Sequence, residues 1–211
     1  MKHESIADKI FIQLESDILS EKYAIGEILT ETKLSEEFQV SRTPIREALR
    51  RLEQENLIKE SGKGIVILGV SKKDLSDIYE VRMRIEGYAA RLAAENITDD
   101  ELEQLSEILD LQEFYTMKSK KNEIKNADTS FHDVIYKCSN SDTINGMLRM
   151  FHKKIQSFRK KSIEDNVRAE NAVAEHRKIY EALAKHDGDE AERLTIEHIK
   201  NAKQHLFAVM G

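Results

Sequence analysis

The chain has 211 residues, of which 40% are hydrophobic and 34% charged, and its net charge of −6 gives no general attraction to nucleic acid. This apolar fraction is enough for a packed core, while one proline and eight glycines favour long helices over a sheet-rich fold. No apolar run approaches the roughly 20 residues of a membrane-spanning helix, residues 1–5 lack the apolar stretch of a signal peptide, and the single Cys138 excludes an intrachain disulfide. We therefore expect a soluble, cytoplasmic protein with no membrane partner.

The first third of the chain predicts three short helices followed by a β-hairpin. Apolar residues recur four apart over residues 6–19, which is the stripe of an amphipathic helix. A second helix is predicted over 31–38, and a third follows the turn at 39–44, where serine, threonine and proline suit a helix start. Two β-like runs, 57–60 and 65–68, flank a glycine-containing turn. This order is that of a winged helix-turn-helix.

The rest of the chain predicts only helices. Ser71 and Asp74 resemble a capping box just ahead of the first of them. The predicted helices cover 71–95, 98–120, 123–138, 142–163, 168–186 and 188–208. We place the domain boundary near Gly69-Val70 and expect a mainly α protein: a winged helix-turn-helix domain over 1–69 and an all-helical six-helix bundle over 70–211.

The third helix carries the densest positive charge in this region. Residues 1–70 hold 10 Lys/Arg against 13 Asp/Glu, yet four arginines, Arg42, Arg46, Arg50 and Arg51, lie within residues 41–51. Local placement decides phosphate contact, and an arginine can bind a guanine edge with two hydrogen bonds, worth about 1–3 kcal/mol of discrimination. The alternative is that these arginines form pairs one turn apart on a solvated helix, as Glu47 with Arg51 would.

An aspartate and a histidine one helical turn apart can bind one ion together, and two later histidines lie on other predicted helices. Asp128 and His132 are four apart and project from one helix face, while His176 and His198 belong to two further helices on either side of Gly188. Three imidazoles and a carboxylate suit a divalent transition metal such as Zn²⁺, Ni²⁺, Mn²⁺ or Fe²⁺, and leave positions open for water or a ligand carboxylate. On spacing alone, an aspartate and a histidine four apart are more often a surface pair.

Two segments resemble the GntR family of bacterial transcription regulators. Residues 40–49, VSRTPIREAL, are similar to the family's recognition-helix signature, and residues 29–34, LTETKL, to the start of its second helix. The resemblance covers nearly the whole chain and is to the FadR-like branch, whose FCD sensor domain is shared with the fatty-acid regulator of enteric bacteria. The family often carries arginine where this chain has Thr32, which removes one potential DNA contact.

The resemblance implies roles for residues in the first domain. Arg42, Thr43 and Arg46 are expected to reach DNA bases, and the wing tip Gly62-Lys63 is expected to approach the minor groove. Glycine lets the backbone come close, and the lysine adds charge. Beyond the resemblance, we expect phosphate contacts from Arg50 and Arg51.

The resemblance also implies a sensor site. Asp128, His132, His176 and His198 match the metal-binding subset of that domain, in which an Asp-x-x-x-His helix and two later histidines line a cavity. Arg82 lies in a segment similar to the family's Arg-x-x-x-Glu, so it is the candidate clamp for an organic anion; the alternative pairs it with Glu86 one turn away. Three further histidines lack these contexts and are interpreted as ordinary: His152, His186 and His205.

We expect a homodimeric repressor that binds a pseudo-palindromic operator and changes its DNA affinity when a small carboxylate binds beside the metal. A regulator that responds to the metal alone is the second hypothesis. A metal-dependent enzyme is the third, and it is disfavoured because the sequence has no Glu-x-x-His pair, nucleophile elbow, phosphate loop or dinucleotide-binding glycine motif. The effector, the operator and the native metal are left open.

Overall fold

The computed structural model describes residues 5–163 and 165–210, without the side chains of 160–163. The chain divides into two compact units, Met1–Asp74 and Leu75–Gly211. It is mainly helical, as predicted, and its strands form one small antiparallel sheet in the first unit. None of the helices in the described part of the chain is both long and apolar enough to cross a membrane.

The first unit is a winged helix-turn-helix. Its elements are α1 (Ile6–Leu19), β1 (Ile28–Leu29), α2 (Glu31–Phe38), α3 (Arg42–Gln54), β2 (Ile58–Ser61) and β3 (Gly64–Ile67). Ser5 and Thr30 cap α1 and α2 by accepting backbone N–H groups of their first turns. Leu14, Leu34 and Ile45, one from each helix, are fully buried and join the three helices into one core.

The sheet has one more strand than the sequence predicted. Its order is β1-β3-β2, and the register pairs Leu29 with Ile65 and Ile58 with Ile67. Strand β1 has only two residues, too few to show a period in the sequence. It approaches β3 so closely that a Cβ added to Gly64, whose φ is +130°, would lie 2.6 Å from the carbonyl oxygen of Leu29. Glycine at position 64 therefore permits the three-stranded wing.

The remaining helices are α4 (Lys72–Asn96), α5 (Asp99–Met117), α6 (Lys121–Cys138), α7 (Asp142–Lys154), α8 (Gln156–Ile163), α9 (Asn166–Ala184) and α10 (Gly188–Met210). The capping box at the start of α4 is confirmed: the Asp74 N–H donates to Ser71 Oγ at 3.1 Å, and the Ser71 N–H donates to Asp74 Oδ2 at 3.0 Å. Helix α4 contributes four fully buried alanines to the core that contains Phe131; they are Ala89, Ala90, Ala93 and Ala94. Small side chains there let neighbouring helices approach closely.

The single helix predicted over 142–163 is two helices, so the described residues of the bundle contain seven helices rather than six. Helix α7 ends at Lys154 and is capped by Ile155, whose φ and ψ of −101° and 7° leave the helical region, and α8 begins at the next residue, Gln156. The Ile155 side chain is fully buried at this turn. A one-residue break shifts the apolar period too little to be visible in the sequence.

Candidate nucleic-acid interface and candidate metal centre

Helix α3 presents its polar face to solvent. Arg42, Thr43, Arg46 and Arg50 are exposed, whereas Ile45 on the opposite face is completely buried. Arg42 Nη2 donates to Thr32 Oγ1 at 3.0 Å, and Arg46 Nε lies 2.8 Å from Glu31 Oε1. Both partners lie at the start of α2, so the two guanidinium groups are held in place on an accessible surface.

Arg51 does not share this face. Its Nη1 donates to Asp8 Oδ1 at 2.6 Å, and its guanidinium stacks 3.9 Å above the ring of Phe11. These contacts fasten α3 to α1, so the structure favours an internal role for Arg51 over the phosphate contact considered from the sequence. The partner is Asp8 rather than Glu47, which the helix periodicity suggested.

The turn between β2 and β3 holds the wing-tip residues. Gly62 and Lys63 are exposed, and apart from Gly62 itself and its two neighbours in the chain, no residue lies within 4 Å of the position that a Cβ on Gly62 would occupy. The turn is closed by Ser61, whose Oγ donates to the Gly64 carbonyl at 2.8 Å and accepts from the Lys63 N–H at 3.3 Å. The Lys63 ammonium thus stands at the end of a short, ordered hairpin.

In the second unit, three helices bring together the three predicted ligand histidines, and Asp128 lies beside them. Helix α6 supplies Asp128 and His132, α9 supplies His176, and α10 supplies His198; all four are buried. One ring nitrogen from each histidine lies within 4.8 Å of the others. His176 Nε2 is 3.4 Å from His198 Nε2 and 3.8 Å from Asp128 Oδ1.

Burial sets the protonation of this cluster. It lowers the pKa of His176 to about 3, and it lowers the pKa of His132 well below its usual range, with help from the neighbouring His176. Burial alone would raise the pKa of Asp128, but the guanidinium of Arg159 and the nearby histidines hold it at about 2. At neutral pH His132 and His176 are therefore neutral and Asp128 is ionised, which are the protonation states that bind metal.

The donor set fits a transition metal. His176 and His198 use their Nδ1 atoms in hydrogen bonds, so their Nε2 atoms face each other. Ligands about 2.0–2.1 Å from a tetrahedral Zn²⁺ are about 3.3 Å apart, close to the observed 3.4 Å. With Asp128 Oδ1 alongside, Asp128, His132, His176 and His198 could hold such an ion.

A second group of polar side chains adjoins the first. Arg82 Nε donates to Glu86 Oε1 in a fully buried ion pair, and Arg82 Nη2 lies 3.2 Å from His152 Nε2. Arg159 Nη2 donates to Asp128 Oδ2, and its Nη1 donates to His152 Nδ1 at 2.6 Å. Arg82 therefore makes the pair with Glu86 that the sequence left open as an alternative, and it also lines the cavity beside the candidate metal ligands.

That cavity has a volume of about 40 Å³. Its walls include two of the candidate ligand histidines, Asp128 and three arginines. The full set of lining residues is Tyr79, Arg82, Asp128, His132, Arg159, Arg168, Ala172, His198 and Ala202. The opposite charges are matched: Arg82 is paired with Glu86, Arg159 with Asp128, and Arg168 with Glu175.

The sequence did not single out four residues that contact this site. His152, set aside as ordinary, is buried between Arg82, Arg159 and Tyr136, and burial with the two arginines lowers its pKa to about 4. Gln112, Glu175 and Arg159 each hydrogen-bond a candidate ligand. Of these three, only Glu175 is next in the chain to a residue that the sequence singled out, His176. His186 lies elsewhere, with Nδ1 2.7 Å from the Ala94 carbonyl.

Comparison with known families decides the identity. The family described as "Bacterial regulatory proteins, gntR family" matches residues 6–67, and the family described as "FCD domain" matches residues 77–201. The chain belongs to the GntR family and carries an FCD domain. It is accordingly a transcriptional regulator with a ligand-sensing domain, and GntR-family regulators bind operator DNA. Its relatives are regulators and not enzymes.

Two relatives illustrate the range of similarity. This GntR-family chain is 29% identical over 204 residues to the uncharacterized HTH-type transcriptional regulator YdhC of Bacillus subtilis, covering 96% of this chain and 91% of that protein. It is 33% identical over 145 residues to the gluconate operon transcriptional repressor of Bacillus licheniformis, covering 68% of this chain and 59% of that protein. The solved structure of Escherichia coli McbR/YncC superposes with a TM-score of 0.76 at 22% identity, covering 98% of this chain and 99% of that one, so it shares the fold.

Proposed function

We propose that this regulator is a homodimeric repressor whose operator affinity is set by a small carboxylate bound at a divalent transition metal. The DNA-binding domain would span 1–69 and the sensor domain 70–211. The observation that carries the proposal is the convergence of three buried histidines from three helices, with ligand nitrogens within 4.8 Å, beside an ionised aspartate. A cluster of buried polar side chains with strongly perturbed pKa values, as at His132, His176 and Asp128, is typical of functional sites.

The proposed DNA contacts use the exposed face of α3 and the wing. Arg42, Thr43 and Arg46 would read base edges, Arg50 would bind phosphate, and Gly62-Lys63 would enter the minor groove. Two such surfaces in a homodimer would match the half-sites of a pseudo-palindromic operator. Arg46 would leave Glu31 on binding, because a guanidinium cannot pair fully with both the carboxylate and a guanine.

The proposed sensor contacts surround the cavity. Asp128, His132, His176 and His198 would hold the metal, which when bound supplies a Lewis-acidic position for an oxygen of the effector. Arg82 is the predicted anion clamp, although its Nε is already committed to Glu86. Arg159 is a second cation on the same wall; its Nη2 donates to Asp128, and its Nη1 donates to the neutral His152 ring, a weaker partner than a carboxylate. Either guanidinium would bind the carboxylate of an effector.

The first test is the metal content of protein purified without affinity tags or chelators, measured by elemental mass spectrometry. We expect about one transition metal per chain, and none in a His132→Ala/His176→Ala variant. His186→Ala is the matched control, because that histidine lies outside the cluster and should leave the metal content unchanged. An absence of bound metal in the wild-type protein, also after incubation with Zn²⁺, Ni²⁺, Mn²⁺ and Fe²⁺, would refute the metal site and leave DNA binding unaffected.

The second test addresses DNA and effector together. Operator sequences are selected from a random duplex pool, and their affinity is measured by fluorescence anisotropy. Arg46→Ala should weaken binding by about 1–3 kcal/mol and relax one base preference, while Arg193→Ala in the sensor domain should not. Gluconate is the first effector probe, since one relative is named as the repressor of a gluconate operon.

The alternative that the metal alone is the signal predicts that removing the metal changes operator affinity with no organic acid present. Its supporting observation is that the cavity of about 40 Å³ is large enough for an ion with water but small for an organic acid. Anisotropy with metal-loaded and chelator-treated protein distinguishes the two: equal operator affinity excludes the metal-only signal.

A further inference from the structure

Each of the three ligand histidines faces an oxygen acceptor with its second ring nitrogen. His176 Nδ1 is 2.9 Å from Gln112 Oε1, and His198 Nδ1 is 2.7 Å from Glu175 Oε2. His132 Nδ1 is 3.8 Å from Glu86 Oε2. The three acceptors come from α5, α9 and α4, so three different helices direct the rings toward one point.

We propose that Gln112, Glu175 and Glu86 are positioning residues that orient the three imidazoles for metal binding, an inference that rests on the proposed metal site. An acceptor on one ring nitrogen fixes the proton there, leaves the lone pair of the other nitrogen free, and increases the basicity of the ring. The observed arrangement meets this requirement at His176 and His198, because their Nε2 atoms are the ones that face each other.

Glu175 is the best supported of the three. Its carboxylate is itself held from both sides: Oε2 accepts from Arg168 Nη1 and Nη2 at 2.9 Å, and Oε1 accepts from Asn201 Nδ2 at 2.9 Å. A carboxylate surrounded by donors has one way to contact His198, namely by accepting its Nδ1 proton. Glu175 thus fixes both the tautomer and the rotation of the His198 ring.

Gln112 plays the corresponding part for His176. Its side chain is 1% exposed on α5, and the ring of His176 is stacked on Phe131 with centroids 4.3 Å apart. The stacking fixes the plane of the ring, and the hydrogen bond fixes its rotation within that plane. Together they leave His176 Nε2 no direction other than toward His198 and Asp128.

A positioning role for Glu86 would account for a buried oxygen of its side chain that lacks a hydrogen-bond partner among the described residues. Its Oε1 accepts from Arg82, but its Oε2 is buried and has no hydrogen-bond partner among the described residues. An unsatisfied buried carboxylate oxygen is costly. His132 Nδ1 lies 3.8 Å away, slightly beyond hydrogen-bond distance. A small rotation of the His132 ring into a ligand position would supply the missing donor.

The test is the affinity of the full-length protein for Co²⁺, measured by competition with a chelator, together with the visible absorption of the bound Co²⁺. Glu175→Ala and Gln112→Leu should weaken Co²⁺ binding by about 10- to 100-fold and alter the absorption bands. Glu175→Gln should lose less, because its amide oxygen still accepts from His198. Ser139→Ala is the control: it removes a buried 2.7 Å hydrogen bond to the Tyr136 carbonyl that touches none of the three histidines.

Thermal melts of the metal-free variants separate positioning from general destabilisation. Positioning predicts weaker Co²⁺ binding in Glu175→Ala than in Ser139→Ala even where their melting temperatures match. Wild-type affinity and spectrum in both Glu175→Ala and Gln112→Leu would overturn the inference, as would equal weakening in Ser139→Ala. If the wild-type protein binds no Co²⁺, the proposed metal site itself is wrong and the inference is refuted with it.

Discussion

Replacing Arg82 with methionine tests whether this residue holds the core of the sensor domain or serves only the effector. The Arg82 and Glu86 side chains are 3% and 0% exposed, and each shifts the other's pKa toward the charged form against the effect of burial. Removing one partner of a buried ion pair costs about 3–5 kcal/mol, because the remaining charge stays buried. Other hydrogen bonds offset little of this cost, since Glu86 Oε2 already has no hydrogen-bond partner among the described residues.

The expected effect is measurable by calorimetry of metal-free protein. At about 2–4 °C per kcal/mol for a domain of this size, Arg82→Met should lower the melting temperature of the sensor domain by about 6–20 °C. Adding Glu86→Leu removes the stranded carboxylate, so the double variant should recover most of the loss. Methionine retains part of the packing that the arginine makes against the Tyr79 ring.

A loss below about 1 kcal/mol in Arg82→Met, or a double variant less stable than the single one, would refute the reasoning. In that case the substitution does not leave Glu86 as a costly unpaired buried charge. The ion pair would then contribute little to stability, and Arg82 would be able to bind an anion instead. If the predicted loss is found, Arg82 is mainly a structural partner of Glu86, and Arg159 becomes the better candidate for the anion clamp.

Three further predictions concern pH, the wing and DNA. Burial holds the pKa of His176 at about 3 and that of His152 at about 4, below the roughly 6.5 of an unfolded chain. The unfolded state therefore binds more protons below pH 6.5, and metal-free protein should lose up to about 1.4 kcal/mol per pH unit per histidine as the pH falls toward 4, measured by urea unfolding. Gly64→Ala should destabilise the first unit by about 1–3 kcal/mol in the same assay, because the new Cβ would clash with the Leu29 carbonyl; Gly62→Ala is its control. Arg50→Ala should weaken binding to all DNA sequences by the same factor. It should also reduce the slope of log affinity against log salt concentration by about one.

Local physics explains which parts of the fold were predictable. The helix over residues 6–19 and the capping box of Ser71 depend on residues three or four apart, so the sequence reveals them directly. The convergence of His176 with His198 depends on how α9 packs against α10, and no spacing rule contains it. The family resemblance supplied that pairing.

The contacts that the sequence missed join distant positions. Arg159 reaches Asp128 across 31 residues, and Gln112 reaches His176 across 64. Glutamine and arginine on helices are so often solvent-exposed that their identity alone predicts nothing. His152 was missed for the same reason, because its role comes from Arg159 and Tyr136 and not from its neighbours in the chain.

The size of the sensor cavity determines how an effector could act. A volume of about 40 Å³ accommodates roughly two or three waters, so an organic acid of several carbons needs a wall to move. Arg159 is the candidate for that movement, because it is 13% exposed and extends from the short helix α8. Its carboxylate partner Asp128 retains slight exposure, whereas Arg82 is paired with the fully buried Glu86. A ligand shifts a conformational equilibrium only as far as it binds one arrangement better than the other. If the proposed effector binds only after Arg159 has moved, it would favour that arrangement over the one seen here, and the displacement of Arg159 would convert effector binding into a change in the sensor domain.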